Sequence, residues 1–260
     1  MRFTTLASSS SGNCVLLSHG ERHILIDAGI SSKRISSALS SLGLSLGDIG
    51  AVLVTHSHGD HVSGLPAFAE RSGARVYATD ETLDIIASDM PARCEMELIS
   101  PGAGFSVPGF EARAFCVPHD APGSVGFVVT ASGRKFVLAT DLGIVTPEVL
   151  KAAQGADAAV IEANHDAEML RNGYYPPTIK RRIASGIGHL SNDACGGFAV
   201  KLAESGAGTL VLAHLSSGNN TPELALDAVG GALERGGIAA GRDVRLFAAP
   251  SFGVGDTYEV

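Results

Sequence analysis

The densest group of coordinating side chains in this 260-residue sequence is Thr55-His56-Ser57-His58-Gly59-Asp60-His61, directly after the apolar run Ala51-Val52-Leu53-Val54. Three of the nine histidines fall in that window. In an extended segment leaving a strand, residues two apart point to one side, so His56 and His58 can present their imidazoles to a single ion. Gly59 permits a sharp reversal, after which Asp60 and His61 open a helix-like run, Val62 to Ala69. That reversal turns Asp60 and His61 toward a second ion beside the first. Two-metal sites hold their ions roughly 3.5–4 Å apart and clamp both the attacking and the leaving oxygen of a displacement. A polar loop rich in histidine by chance is the plainer reading, and the concentration of histidine here argues against it.

The His-x-His-x-Asp-His pattern resembles the signature of the metallo-β-lactamase superfamily, whose other ligands come from loops far apart in sequence. The resemblance implies an aspartate that ends an early strand and braces the metal loop, and Asp27 in Ile24-Leu25-Ile26-Asp27-Ala28-Gly29 matches it. A third histidine for the first ion is matched by His119 in Cys116-Val117-Pro118-His119-Asp120. A bridging aspartate is matched by Asp141 after Phe136-Val137-Leu138-Ala139-Thr140, and a last histidine by His214 after Leu210-Val211-Leu212-Ala213. The implied metal ligands are therefore His56, His58, Asp60, His61, His119, Asp141 and His214. Alone, His119, Asp141 or His214 reads as a hydrogen-bonded loop residue; together, each after a strand-like run and in the family's order, they read as a ligand set. Nitrogen and oxygen donors without thiolate suit zinc, manganese or iron. The expected cofactor is two divalent metal ions, zinc or manganese, with iron left open.

Further segments narrow the resemblance. Ser8-Ser9-Ser10-Ser11-Gly12-Asn13-Cys14, Ile161-Glu162-Ala163-Asn164-His165-Asp166, Gly188-His189-Leu190-Ser191-Asn192 and the run from Ala213 to Glu223 look like the WalJ/YycJ-like branch over nearly the whole chain. That branch implies a cytoplasmic 5′-to-3′ exonuclease related to RNase Z and to the nuclease half of RNase J. Gly188-His189-Leu190-Ser191 is similar to the β-CASP motif whose histidine lies against the scissile phosphate. A histidine there can hydrogen-bond a non-bridging oxygen or protonate the departing alkoxide, work worth about 10² to 10⁴ in rate. Asp60 and His189 are thus the expected catalytic pair, Asp60 holding or accepting the proton of the attacking water. No insertion between Asp141 and His214 has room for a complete β-CASP domain, which departs from RNase J and implies a more open cleft.

Other residues have two readings each. Lys180-Arg181-Arg182 is the densest basic cluster; arginine's fork suits phosphate, and a solvated face accounts for it equally well. Ser191 opens a helix whose backbone N–H groups would face an anion, and with His189 and Asn13 it is expected to touch substrate. Gly12-Asn13 also simply makes a good turn. Glu162 ends a strand-like run and resembles an acidic motif that orients a histidine from behind, or is an ordinary strand-end carboxylate. His165 reads either as a residue supporting the metal donors from behind or as surface or substrate edge, and His19 and His23 as exposed residues about the turn Gly20-Glu21.

The elements that must position these groups fall into two sets of strand-like runs. Phe3 to Ile26 and Ala51 to Val54 form one; Glu97 to Leu138, Ala158 to Ile161 and Leu210 to Ala213 form the other. Helical patterns over Ser31–Leu42, Pro147–Gln154, Asn192–Ala203 and Pro222–Arg235 separate or follow them, the last opened by Thr221 with proline at the first helical position. The pattern suits an α/β (α+β) class fold, the four-layer αββα metallo-β-lactamase sandwich, as one domain over residues 1–260. Hydrophobic residues at 45% supply ample core. No apolar run can span a bilayer, and the amino-terminal apolar stretch is too short for a secretory signal. Four cysteines without a Cys-x-x-Cys pair read as buried free thiols of a reducing, cytoplasmic compartment.

The formal net charge of −8 lacks the broad basic surface of a protein that grips long nucleic acid. It favours a short-footprint enzyme on DNA or RNA ends. It would also suit a small-molecule cyclic phosphodiesterase. A glyoxalase II-like thioesterase or lactonase shares Thr-His-x-His-x-Asp-His, but gives no reason for Gly-His-Leu-Ser or the basic trio. A metal-stabilised scaffold needs fewer ligands than are present. No sequence stripe marks a self-association surface, and a homo-oligomer is left open.

Overall fold

Runs such as Ile24-Leu25-Ile26 and Phe136-Val137-Leu138-Ala139 have no polar side. A strand alternates its faces, so such a run must be covered on both. The computed structural model, which describes residues 1–260, shows how. The first sheet contains β1 (Arg2–Ser9), β2 (Gly12–His19), β3 (Arg22–Ile26), β4 (Ile49–Leu53), β5 (Arg75–Ala78) and β6 (Met96–Leu98). The second contains β7 (Gly104–Val107), β8 (Phe110–Cys116), β9 (Val125–Ala131), β10 (Arg134–Ala139), β11 (Ala158–Glu162), β12 (Thr209–Ala213) and β13 (Arg245–Ala248). The last strand, β14 (Thr257–Glu259), returns to the first sheet and pairs antiparallel with β1. The sheet orders are β14-β1-β2-β3-β4-β5-β6 and β13-β12-β11-β10-β9-β8-β7.

Side-chain alternation divides the interior into three apolar layers. Ile24, Ile26, Ala51 and Leu53 point between the sheets and meet Phe136, Leu138, Val160 and Val211. Leu25, Val52 and Val76 point outward and pack with Ile35 and Leu39 of α1 (Ser32–Ser41) and with Phe68, beyond the one-turn α2 (Gly59–Val62), in α3 (Leu65–Ser72). The adjoining α4 (Asp80–Ile86) adds Ile86 to this layer. On the far side, Val137, Ala139, Ile161 and Leu212 pack under Val149 of α5 (Pro147–Ala153). Beyond α6 (Ala167–Asn172) and α7 (Pro177–Ile183), that layer is completed by Phe198 of α8 (Asn192–Glu204) and Val229 of α9 (Pro222–Arg235). Helices, sheet, sheet, helices: this is the expected αββα order.

Several expectations need correction. Glu97 lies in β6, which pairs parallel with β5 of the first sheet, so the second sheet begins only at Gly104. The helix expected after the metal loop is interrupted at Ser63-Gly64 into α2 and α3, and Gly64 there packs so close that a Cβ would lie 1.8 Å from Ile30 O. His23 is buried in β3 and bonds Ser18 Oγ at 2.8 Å, so it is no exposed hairpin residue. Of the four cysteines, all free, only Cys14 and Cys195 are buried; Cys116 closes β8 facing outward and is exposed.

Candidate metal centre

Strands β3, β4 and β5 run parallel, as do β10, β11 and β12, so each sheet gathers several carboxyl ends along one edge. Open α/β sheets bind ligands outside such ends. Asp27 follows β3, the His56 loop follows β4, His119 follows β8, Asp141 follows β10, Glu162 closes β11 and His214 follows β12. Four non-glycine residues have a positive φ: Asp27 (61°), Ser132 (49°), Asp141 (56°) and His214 (55°). Ser132 sits in the β9–β10 hairpin turn, and the other three lie at this edge. Left-handed backbone at a non-glycine residue costs on the order of 1–3 kcal/mol and clusters at functional sites. Here it turns each side chain back across the end of its own strand.

The donors fall into two groups. His56, His58 and His119 form one, and Asp60, His61 and His214 the other; Asp141 is grouped with His56 and His61, and again with His214. His58 Nδ1 and His119 Nε2 are 3.3 Å apart. Asp60 Oδ2 lies 3.4 Å from His61 Nε2 and 3.3 Å from His214 Nε2, and Asp141 Oδ2 lies 3.3 Å from His61 Nε2. Donors around a tetrahedral ion with bonds of roughly 2.0–2.1 Å stand about that far apart. Two of the converging atoms, His56 Nε2 and Asp141 Oδ2, are buried with no hydrogen-bond partner. Buried polar atoms normally find one, so these orphans and the all-nitrogen-and-oxygen donor set fit divalent cations.

A second layer of side chains fixes the donors. Asp27 accepts hydrogen bonds from Thr55 N (2.8 Å), Thr55 Oγ1 (2.9 Å) and His61 Nδ1 (2.7 Å). Glu162 is fully buried and has four donors. Its Oε1 accepts from His189 Nδ1 at 2.8 Å and His214 Nδ1 at 2.9 Å, and its Oε2 from Leu142 N at 3.0 Å and Leu190 N at 3.2 Å. One carboxylate thereby aligns His189, His214 and the residue after Asp141. Burial disfavours charge on all these groups, yet mutual attraction wins at several. Asp141 and Asp27 overcome the burial of His61 and push its pKa up to about 10; Asp141, Asp60 and Glu162 raise His214 likewise. Burial would raise Glu162, but His189 and His214 bring it down to about 2, and neighbouring imidazoles hold Asp60 and Asp141 below the usual carboxylate range. His56 and His119 go the other way, lowered chiefly by burial.

The remaining expected residues sit around this cluster. His189 turns Nδ1 to Glu162 and leaves Nε2 without a protein partner, with 17% of the side chain exposed. Its ring centre is 5.2 Å from those of both His119 and His214. Asn13 is buried, its amide 3.1 Å from His61 Nε2 and 3.3 Å from Asp60 Oδ2, so it lies against donors more than along an open pocket. Ser191 caps α8, its Oγ accepting from Ala194 N at 3.2 Å.

The sequence matches the β-lactamase superfamily domain over residues 22–215. It is 34% identical over 263 residues to exodeoxyribonuclease YycJ of Bacillus anthracis, covering all of this chain and 94% of that one. The chain belongs to the metallo-β-lactamase superfamily. Exodeoxyribonuclease WalJ of Streptococcus pneumoniae is 31% identical over 250 residues, covering 95% and 93% of the two chains, which sets this member in the WalJ/YycJ branch. The crystal structure of Zn²⁺-bound PqqB from Methylobacterium extorquens superposes with a TM-score of 0.76 at 23% identity, over the whole of both chains. This metallo-β-lactamase fold protein is a metal-dependent hydrolase that binds divalent metal, and its donor cluster has the residues to hold it.

Two features of this metallo-β-lactamase site had no reading in the sequence. Asp120 Oδ1 lies 3.4 Å from His119 Nε2 and 3.7 Å from His58 Nε2 and is otherwise unpartnered, while its Oδ2 is bound by Arg182. Its place beside His119 in sequence was the available signal. Asn164 donates to His214 O at 2.9 Å and so helps hold the left-handed turn there. His165 is 3% exposed, which overturns its reading as a surface residue.

Proposed function

We propose that this chain is a phosphodiesterase that removes nucleotides from the 5′ end of single-stranded nucleic acid in the cytoplasm, using two divalent ions, zinc or manganese. His56, His58 and His119 would hold one ion, Asp60, His61 and His214 the other, with Asp141 between them. Bound divalent cations would supply an activated water and charge neutralisation at the phosphoryl oxygens. The observation that carries the reading is His189. Glu162 fixes its tautomer and orientation through Nδ1 and leaves Nε2 free at the rim of the donor cluster. A group so held can donate a proton to a non-bridging or departing phosphate oxygen. Glu162 favours the imidazolium and raises the His189 pKa against its burial, which keeps that proton available near neutral pH. Asp60, whose carboxylate stays ionised, is suited to accept a hydrogen bond from the attacking water and hold it in place. The full-length relatives named as exodeoxyribonucleases support a nucleic-acid substrate.

The test is hydrolysis of 5′-phosphorylated single-stranded DNA and RNA by metal-depleted protein resupplied with manganese or zinc. Bis-p-nitrophenyl phosphate and a glutathione thioester run alongside. Stepwise shortening from the 5′ end is expected, and His189→Ala should lower it by about 10² to 10⁴ with metal content unchanged. Cleavage of the small diester alone would replace the reading with a small-molecule phosphodiesterase. Thioester turnover alone would remove phosphate from the account.

A further inference from the structure

Helices α6 and α7 contribute no residue to the three apolar layers, yet they flank an open surface hollow of about 370 Å³. Its walls include His165, Leu170, Arg171, Lys180 and Arg181. A water molecule occupies roughly 30 Å³, so the hollow has room for a phosphate group with part of its hydration. None of the lining residues is acidic, in a chain of net charge −8. Three cations at one cavity are therefore a concentration against the trend of the whole surface. Arg171 meets Glu168 Oε1 outside at 3.4 Å, and Lys180 Nζ donates to Arg171 O at 2.8 Å. Arg181 has no protein partner.

The cavity wall also contains a polar side chain that the protein leaves unsatisfied. His165 is only 3% exposed, and its Nδ1 has no hydrogen-bond partner. Burial favours its neutral form. Its Nδ1 lies behind the wall, out of reach of solvent, so His165 shapes the hollow while Arg171, Lys180 and Arg181 supply the charge that would attract an anion.

Position ties the hollow to the metal centre. The carboxyl end of β11 provides Glu162 to the donor cluster and, three residues on, His165 to the cavity. Consecutive residues of α7 divide in the same way, since Arg182 binds Asp120 beside His58 and His119 while Lys180 and Arg181 face the hollow. We propose that this cavity binds a second phosphate of the substrate strand, distinct from the one being cut, and so sets the register of the strand against the metal centre. The inference rests on the phosphodiesterase reading above.

Fluorescence anisotropy of labelled phosphorothioate oligonucleotides, bound to the protein as purified, tests it. The oligonucleotides end in either a 5′ phosphate or a 5′ hydroxyl. The double variant Lys180→Ala/Arg181→Ala should bind about tenfold or more weakly and lower the salt slope by about one for each phosphate it no longer neutralises. Weakening confined to the 5′-phosphorylated strand identifies a terminal phosphomonoester as the ligand; equal weakening of both identifies a backbone diester. Arg181→Lys, which keeps the charge, should retain most of the affinity, and Arg181→Ala alone breaks no bond within the protein. Unchanged affinity and salt slope in the double variant would overturn the inference. Hydrolysis of bis-p-nitrophenyl phosphate by the wild type, in the same preparation, reports separately on whether the metal centre acts on phosphodiesters at all.

Discussion

His61 and His214 each turn a ring nitrogen to a buried carboxylate, Asp27 and Glu162, whereas His56 and His119 turn theirs to neutral oxygens, Thr55 Oγ1 and Gly188 O. Exposure divides less cleanly: His56, His61, His214 and the His119 side chain are all buried, whereas His58 is 37% exposed in one half and Asp60 23% in the other. A carboxylate behind an imidazole fixes its tautomer and raises its basicity. One half of the donor cluster is thus braced by buried carboxylates; the other is backed by neutral oxygens and is the more open through His58 alone. The same fold edge supports both, so the difference comes from what stands behind each strand end and not from the strands themselves.

Asp141 is the residue through which the halves meet, 3.3 Å from His61 and 3.9 Å from His119. Asp141→Ala should therefore have the largest effect, a loss of turnover of about 10³ or more, since the charge stabilisation at stake is several kcal/mol. On the two-ion reading proposed above, metal titration of this variant should lose both binding steps. Loss of one step alone would show that the halves load independently and that Asp141 serves only one of them.

Next in size is Glu162→Gln, which replaces the brace by a neutral amide. Metal affinity in the His214 half should fall about 10- to 100-fold, read by competition with a chelator, while the His56 half is little changed. Asp120→Asn should show the converse pattern with a smaller drop, because Asp120 approaches His119 and His58 only at 3.4 and 3.7 Å. Equal losses at both halves would break the comparison.

Proton competition sharpens it further. In the ion-free protein His61, with a pKa of about 10, and His214 carry protons at neutral pH, whereas His56 and His119, lowered by burial, do not. Loading the braced half must expel protons, so its affinity should rise with pH across the neutral range; the open half should be nearly flat. Calorimetric titration in buffers of different ionisation enthalpy would count the protons, and a pH-independent braced half would contradict the assignment.

The donors and, through the family resemblance, the braces Asp27 and Glu162 were legible in the sequence; that Asp120 and Asn164 were not follows from range. His56 to His61 are legible because they lie in one short loop, whereas His119, Asp141 and His214 are legible through their resemblance to the family's order of motifs after strand-like runs. The αββα order is legible for the same reason. Contacts such as Arg182 to Asp120, 62 residues apart, or the return of β14 to β1, leave no local periodicity to read. Nor does the burial of His165, whose backbone pairs with Ser191 and accepts from Asn192 N, far along the chain. Ser191 was legible as a helix cap because capping is a local hydrogen bond. The left-handed turns at Asp27, Asp141 and His214 were hidden for the opposite reason: aspartate and histidine give no glycine to mark them.

The smallest expected effect concerns thiols that leave the metal site untouched. Cys14 and Cys195 are buried, and burial, with Asp27 beside the first and Glu162 beside the second, raises both pKa values far above the ordinary thiol range. They lie under the two braces. Cys116, three residues before His119, is exposed at the open half, its pKa raised more modestly by burial and by Glu148. Only the thiolate alkylates, so a raised pKa slows labelling at any pH below it. Iodoacetamide on the folded protein should label Cys116 first and the half-buried Cys94 second, with Cys14 and Cys195 modified only on unfolding, as peptide mass mapping would resolve. Early labelling of Cys14 or Cys195 would mean that the braced half opens on the labelling timescale. The contrast between a closed and an open half would then describe a preference in population, not a difference in construction.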